Sequence, residues 1–253
     1  MISVDTCDFP SGQTSAAPQG GSEITLLGGF QLAAENSSFI PLGAQRLLAL
    51  LALEDGTIDR VTATGLLWPD SRQGRAAANF RSALWRAKRV GSVTLIDCVG
   101  PRLHLAPSVR VDLHELLRRS RQIGSSRCAS GGPDCQAIID GLSRELLPTW
   151  SDDWLVPERA RWDQVRLHVL ETMAQQFLTA QNYLTALEAA LAAVAIEPIR
   201  ESAHRLVLKV HIAEGNSACA MQHYHRYRGL LQRELSIKPS RQMVELIHPL
   251  TGP

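Results

Sequence analysis

The chain has 253 residues, a net charge of +1, 45% hydrophobic residues and 20% charged residues. These values are ordinary for a soluble globular protein of one large or two small domains, and they exclude a fully disordered chain. No apolar run approaches the roughly 18 residues of a membrane helix, and the first residues lack a basic stretch followed by an apolar one. We therefore expect a cytoplasmic protein that contacts no membrane.

The five cysteines are an odd number in a long chain, which favours free thiols over a disulfide framework. Cys128 and Cys135 flank a stretch of Gly, Ser and Pro. They are either a redox or zinc pair or two loop cysteines. Their spacing exceeds that of a zinc knuckle, which favours loop cysteines.

The amino-terminal part predicts a leader and a small sheet. Residues 1–22 are rich in Ser, Gly, Gln and Pro, which predicts a disordered leader. Residues 24–32 contain two apolar runs around Gly28 and Gly29, a pattern typical of a strand, a tight turn and a second strand. Residues 39–42 predict a third short extended piece, because Pro41 restricts the residue before it.

Three helical patterns and a hairpin come next. Helices are predicted over residues 44–54, 61–68 and 72–90, and strands over 93–98 and 103–105 around a turn at 99–102. Asp70 and Ser71 are candidates for capping the third helix. A small sheet, three helices and a hairpin are the layout of a winged helix-turn-helix domain (OmpR/PhoB-like), which we assign to residues 23–106.

The rest of the chain, residues 107–253, is predicted to be an all-α domain. A linker strand and short helix (107–121) and a flexible loop (124–135) precede helices at 158–178, 183–196, 200–213 and 217–235. The segment starting at Asn182 aligns with the one starting at Asn216, 34 residues later, which is the period of tetratricopeptide helix pairs. A generic helical bundle is the alternative. The predicted fold is therefore mostly α with a small β component.

The third helix carries the strongest functional signal. Between residues 71 and 96 the chain has six Arg or Lys residues and no acid. At 100° per residue, five apolar residues cluster around Phe80: Ala76, Ala77, Ala83, Leu84 and Ala87. The opposite side carries a polar stripe of Arg75, Asn79, Ser82 and Arg86. Arg can fork onto guanine and Asn can pair with adenine, so the stripe predicts base readout in a DNA major groove. The alternative is an amphipathic surface helix.

Cations near the stripe are candidates for phosphate contacts. Arg72, Lys88 and Arg89 lie near the ends of the predicted helix, and Arg102 lies at the tip of the hairpin, within reach of a minor groove or a phosphate. Trp85 lies on the flank of the helix. We predict that it packs under the hairpin rather than touching DNA.

Signatures of enzymes are absent from the sequence. There is no Gly-rich phosphate loop and no nucleophile elbow. His223 and His225 lie two apart on a predicted helix and point about 200° away from each other, so they cannot chelate one ion. His223 and Tyr227 are an ordinary i, i+4 packing pair. We expect no catalytic residue, no metal site and no cofactor.

Several motifs resemble a known family over about residues 24–248. The stretches 26–30, 46–53, 66–71 and 78–84 resemble the winged-helix half of the SARP regulators, the Streptomyces antibiotic regulatory proteins of actinomycetes. The stretches 146–154, 197–205, 213–216 and 234–240 resemble their bacterial transcriptional activation domain. Two segments depart from the family pattern: residues 61–65, where Gly65 weakens the second helix, and residues 125–135.

The resemblance implies a transcriptional activator. Such a protein binds direct repeats in double-stranded DNA near a promoter, self-associates there, and recruits the RNA polymerase holoenzyme, usually for a secondary-metabolite (antibiotic) gene cluster. The competing hypothesis is a helical-repeat adaptor whose basic amino-terminal module binds an acidic protein.

Overall fold

The computed structural model describes residues 22–34, 40–54, 56–122 and 133–250. It is mostly helical with a small β component, as the sequence predicts. Residues 1–21 of the predicted leader and residues 124–132 of the predicted loop lie outside the described residues. Ser22, assigned to the leader, is instead the first residue of a strand.

The described residues form eight short strands and ten helices. The strands are β1 (Ser22–Thr25), β2 (Gln31–Ala33), β3 (Ile58–Asp59), β4 (Arg89–Val90), β5 (Val93–Thr94), β6 (Ile96–Val99), β7 (Arg102–Leu105) and β8 (Val109–Val111). The helices are α1 (Leu42–Leu53), α2 (Arg60–Leu67), α3 (Gln73–Lys88), α4 (Asp112–Gln122), α5 (Pro133–Leu142), α6 (Leu155–Thr179), α7 (Tyr183–Ile196), α8 (Glu201–Ala213), α9 (Ser217–Glu234) and α10 (Arg241–Ile247).

The first sheet has the strand order β2-β1-β8. β1 and β2 pair antiparallel, and Gly28 in the turn adopts a φ of 83°, a left-handed conformation that favours glycine. β8 pairs parallel with β1, and Asp112 accepts hydrogen bonds from the backbone N–H groups of Leu26 and Leu27. Residues 109–111, placed after the predicted boundary at 106, therefore complete the amino-terminal sheet; the boundary itself stays a prediction.

Helices α1, α2 and α3 pack together beside a second sheet of order β3-β7-β6. The predicted hairpin is present: β6 and β7 pair antiparallel, with Gly100 at a φ of 59° in the turn. β3, which precedes α2, pairs antiparallel with β7. Gly65 does not interrupt α2, where Thr64 Oγ1 donates to the carbonyl of Arg60.

The predicted capping residues and the predicted carboxyl end of the third helix are wrong. Arg72, rather than Asp70 or Ser71, occupies the N-cap position of α3, and no side chain caps the helix there. The helix ends at Lys88, because Arg89 and Val90 form β4 and pair with β5 across a turn at Gly91. Gly91 has a φ of 59°, which suits the tight turn that follows the two residues of β4.

Helices α6 to α9 pack in sequence, each against the next. α6 begins at Leu155, before Pro157 rather than after it. Proline is tolerated there because the first turn of a helix has no intrahelical acceptors for its N–H groups. The N-cap residues of α7 and α9 are Asn182 and Asn216, the two positions that mark the 34-residue offset.

Cys135 is not a loop cysteine. It lies in the first turns of α5 and is 1% exposed within the main core. Cys128 lies outside the described residues, so the pairing of the two cysteines stays untested.

The main core is shared by both halves of the chain. It runs from Ile24 in β1 through Phe80 in α3 to Val210 in α8. A smaller cluster at the carboxyl end joins α10 to α8 and α9 around Tyr227 and Met243. None of the helices in the described ranges is long and apolar enough to cross a bilayer.

Candidate nucleic-acid interface

Helix α3 has one buried side and one exposed side, as its sequence predicts. Phe80, Ala76, Ala83 and Ala87 are buried against the core. The small alanines let α3 pack closely against α1, and Phe80 fills the space beside Trp68, with the two rings edge to face at 6.4 Å. The opposite side of α3 is left in solvent.

The structure brings three of the four stripe residues to the exposed surface. Arg75, Ser82 and Arg86 are exposed, whereas Asn79 is half-buried. At 100° per residue, Asn79 lies about 100° from Phe80 and the other three lie about 120° to 160° away, which explains the difference. The stripe spans about 16 Å along the helix axis at 1.5 Å per residue.

The cations around the stripe are also exposed. Those predicted to contact phosphate are Arg72 at the N-cap, Lys88 in the last turn, Arg89 in β4 and Arg102 in β7. In the part of the chain that the structure describes, none of these cations, nor Arg75 or Arg86, forms an ion pair with a carboxylate. Their charge is therefore uncompensated by neighbouring acids, which is the electrostatic pattern of a phosphate-binding surface.

Trp85 does not pack under the hairpin. Its side chain is 78% exposed, whereas the other four tryptophans are buried or half-buried. It lies about 140° from Phe80 on the helix, as far from the buried side as Arg75 does. The prediction that it packs rested on its aromatic side chain, whereas its angular position on the helix indicated exposure.

A groove of about 490 Å³ runs between α2 and α3. Its lining includes Val61, Trp68, Phe80 and Leu84, and none of the four stripe residues. The groove and the stripe are thus separate surfaces of the same helix.

A polar cluster between α8 and α9 was not anticipated. His204 Nδ1 lies 2.9 Å from His223 Nε2, His204 Nε2 lies 2.8 Å from the Pro198 carbonyl, and the His204 ring stacks on Tyr227. A carbonyl only accepts, so Nε2 of a neutral His204 donates to Pro198 and its Nδ1 accepts from His223. His204 and His223 lie 19 residues apart on two different helices, so the helical periodicity of the sequence does not indicate that they are in contact.

Burial controls the titration of this cluster. It lowers the pKa of His204, and it lowers the pKa of His223 to about 4, with His204 adding to the effect. Burial also raises the pKa of Tyr227 to about 12. All three groups are therefore neutral near pH 7. Within the described residues, no group of three His, Cys, Asp or Glu side chains is placed to hold a metal ion.

Comparisons with known proteins agree with this architecture. The family model of the bacterial transcriptional activator domain matches residues 141–250. The regulatory protein DnrI of Streptomyces peucetius is 23% identical over 252 residues, covering 90% of this chain and 91% of that protein. These matches make the chain similar to regulators of the SARP type.

Two further similarities relate this chain to longer proteins. The regulatory protein AfsR of Streptomyces griseus is 26% identical over 219 residues, which cover 83% of this chain and 22% of AfsR. The chain thus spans about a fifth of the length of that relative. Among solved structures, Mycobacterium tuberculosis EmbR in complex with a low-affinity phosphopeptide matches with a TM-score of 0.71 at 14% identity, over 91% of this chain and 65% of that one. That likeness shows the fold alone.

Proposed function

We propose that this protein is a sequence-specific DNA-binding transcriptional activator. In this proposal, residues 23–106 form a winged helix-turn-helix domain with α3 as the recognition helix, and residues 107–253 form a tetratricopeptide-like activation domain. The observation that carries it is the exposed side of α3, where cations without acidic partners lie opposite the buried side of the helix. Similarity to regulators of the SARP type supports the same function.

The contacts divide by their position on the domain. Arg75, Asn79, Ser82 and Arg86 read base edges, because their stripe spans about five base steps at 3.4 Å per step. Arg72, Lys88 and Arg89 hold phosphates at either end of α3, and Arg102 reaches a phosphate or minor groove from the turn of the β6–β7 hairpin. Half-buried Asn79 contributes only if its amide reaches past the neighbouring arginines, so we assign most of the readout to Arg75 and Arg86.

The wider role follows the family. We propose that the protein binds direct repeats near a promoter in the cytoplasm, self-associates on them, and recruits the RNA polymerase holoenzyme through its helical half. The regulated genes belong to a secondary-metabolite cluster. Footprinting on the DNA adjacent to the protein's own gene tests this, and two protected repeats one helical turn or a multiple apart are expected.

The test of the recognition helix is a charge-matched pair of double variants. Arg75→Ala/Arg86→Ala removes two cations from α3, and Arg226→Ala/Arg233→Ala removes two exposed cations from α9. In a gel shift at ~150 mM salt, we expect the first pair to weaken specific binding by at least about 30-fold, since each good base contact contributes about 1–3 kcal/mol. The second pair should bind as the wild type does.

Two results would overturn the assignment. Unchanged promoter affinity in the α3 variant would reject this helix as the reader. Equal binding to all DNA, or none, would favour the adaptor that binds an acidic protein, because specific recognition requires one sequence to be preferred over random competitor.

A further inference from the structure

Trp85 is an exposed aromatic residue on the solvent side of α3. In the described residues its ring stacks on no other aromatic ring, and 78% of its surface faces solvent. A tryptophan carries a large apolar area, and leaving it in water forgoes the stabilisation that burial would give. Such exposure on an otherwise well-packed helix indicates a surface that a partner covers.

The row that contains Trp85 faces directly away from the core. Ala78, Ser82 and Trp85 follow each other at i, i+4 and i+7, about 140° to 160° from Phe80, and all three are exposed. The first two side chains are small, so the first two turns of this row can approach a surface closely. Trp85 projects from the end of the row.

The charges around Trp85 identify the kind of partner. Arg81 and Arg89 lie four residues before and after it, and Arg86 and Lys88 lie within the same turn, all exposed. None of the four forms an ion pair within the described part of the chain. A neutral protein surface covering the ring would desolvate these cations without partners, which is costly. A nucleic acid would give each cation a phosphate or an acceptor on a base edge.

We propose that Trp85 reads thymine in the major groove through contact of its indole ring with the thymine 5-methyl group. This inference rests on the proposed DNA-binding function and adds a specificity residue to it. The major-groove edge of an A·T pair presents that methyl group as its apolar feature, which an aromatic ring can cover. The polar stripe reads the hydrogen-bonding groups of the base edges, and Trp85 adds an apolar contact beside them.

The test removes the methyl group and the ring separately. Each thymine of the footprinted repeat is replaced singly by deoxyuridine, which lacks only the 5-methyl group, and affinity is measured for the wild type and for Trp85→Ala. At one position or two adjacent positions, the wild type should lose about fourfold, the effect of one buried methyl-sized group. Trp85→Ala should bind the thymine site about tenfold more weakly, a typical loss for one lost base contact, and should show no further loss with deoxyuridine.

Control variants separate this role from a general loss of binding. Leu184→Ala removes an exposed apolar side chain, 70% exposed, from α7 and should leave every affinity unchanged. Trp85→Phe keeps a ring and should restore part of the discrimination. Arg89→Ala should weaken binding to thymine and deoxyuridine sites alike, because it acts on phosphate. Thermal unfolding should be unaltered in all of them, since each side chain lies outside the core.

Three outcomes would overturn the assignment. The methyl group could matter equally in the wild type and in Trp85→Ala, or matter at no position. Alternatively, Trp85→Ala could change the sedimentation of the free protein and leave the DNA titrations unaltered, which would make the ring a contact between copies of the chain. A wild type that prefers no sequence at all would instead overturn the proposed function, so the two failures are distinguishable.

Discussion

The His204–His223 pair shows how single residues couple the stability of the helical half to pH. His204 is buried and His223 is half-buried between α8 and α9, and their hydrogen bonds are satisfied with both rings neutral. A proton added to either ring removes the acceptor or places a charge beside Tyr227 in a poorly solvated site. The unfolded chain has no such restriction.

We predict that the stability of the protein falls as the pH decreases from about 6.5 to about 4. The pKa of each histidine is lower in the folded state than its ordinary 6.5, so the unfolded state binds protons first and is favoured over this interval. Urea unfolding at successive pH values measures this. His223→Gln, which keeps an N–H donor without titrating, should flatten the curve, whereas exposed His225→Gln should not. Identical slopes in all three proteins would contradict it.

For single residues, the sequence predicted exposure or burial correctly where it depends on one helix alone. The alternation of Phe80 and the alanines with Arg75, Ser82 and Arg86 follows from the helical period alone, and the structure has those sides. The role of His204 depends on which residue of α9 faces it, and the helical period of α8 carries no information about α9. Trp85 lies between these cases, since its angle indicated exposure and its residue type suggested burial.

Two glycines within helices show how the surroundings of a residue determine the effect of replacing it. Gly65 lies within α2, and a Cβ built on it would meet no atom within 4 Å. Gly141 lies within α5, and its Cβ would come 2.9 Å from Cδ1 of buried Leu116 in α4. The two sites have the same residue type and the same secondary structure, but different surroundings.

We predict opposite results from the same substitution. Gly65→Ala should raise the free energy of unfolding by about 0.5–1 kcal/mol, because alanine loses less backbone entropy in a helix. Gly141→Ala should lower it, because α4 and α5 must separate or Leu116 must leave its rotamer. Chemical denaturation of both variants against the wild type provides the measurement. Destabilisation by Gly65→Ala would contradict the interpretation that Gly65 only weakens α2.

Elements defined by local turns were predictable, and elements defined by distant partners were not. The β1–β2 and β6–β7 pairs follow from glycines that permit tight turns. A strand was predicted within residues 107–121, but its partner was not: β8 pairs with β1, more than 80 residues earlier in sequence, and no local pattern indicates a parallel partner at that distance. Asp112 likewise reads as a helix-start residue, yet its carboxylate also holds the end of β1.

On the scale of the whole molecule, the two halves of the chain are joined by backbone as well as by side chains. The N–H of Gly28 donates to the carbonyl of Glu145 at 2.8 Å, and the N–H of Leu147 donates to the carbonyl of Leu26 at 3.0 Å. These bonds surround a bridge between Leu27 and Leu146. Two segments 120 residues apart therefore pair as strands do at the junction.

Side chains extend the junction on either side of this pairing. Phe30 stacks on Trp150 with ring centroids 5.7 Å apart. Arg46 Nε in α1 lies 3.0 Å from an Asp152 carboxylate oxygen, and this ion pair is half-buried. Arg159 in α6 donates to the carbonyls of Leu146, Leu147 and Trp150, which fixes the loop that carries these contacts. These contacts hold α3 in a defined orientation relative to the helical half.

We predict that the two halves unfold as one unit and that weakening the junction destabilises both. Native-state hydrogen exchange of amides in α1 and in α7 should report the same opening free energy, because both helices bury side chains in one shared core. Trp150→Ala should lower both values together by about 2 kcal/mol, the loss expected for a half-buried aromatic side chain. Arg241→Ala, which breaks an exposed ion pair in α10, is the control and should change neither value. A drop confined to α7 would mean that the halves fold separately and that the proposed DNA recognition does not depend on the helical half for its geometry.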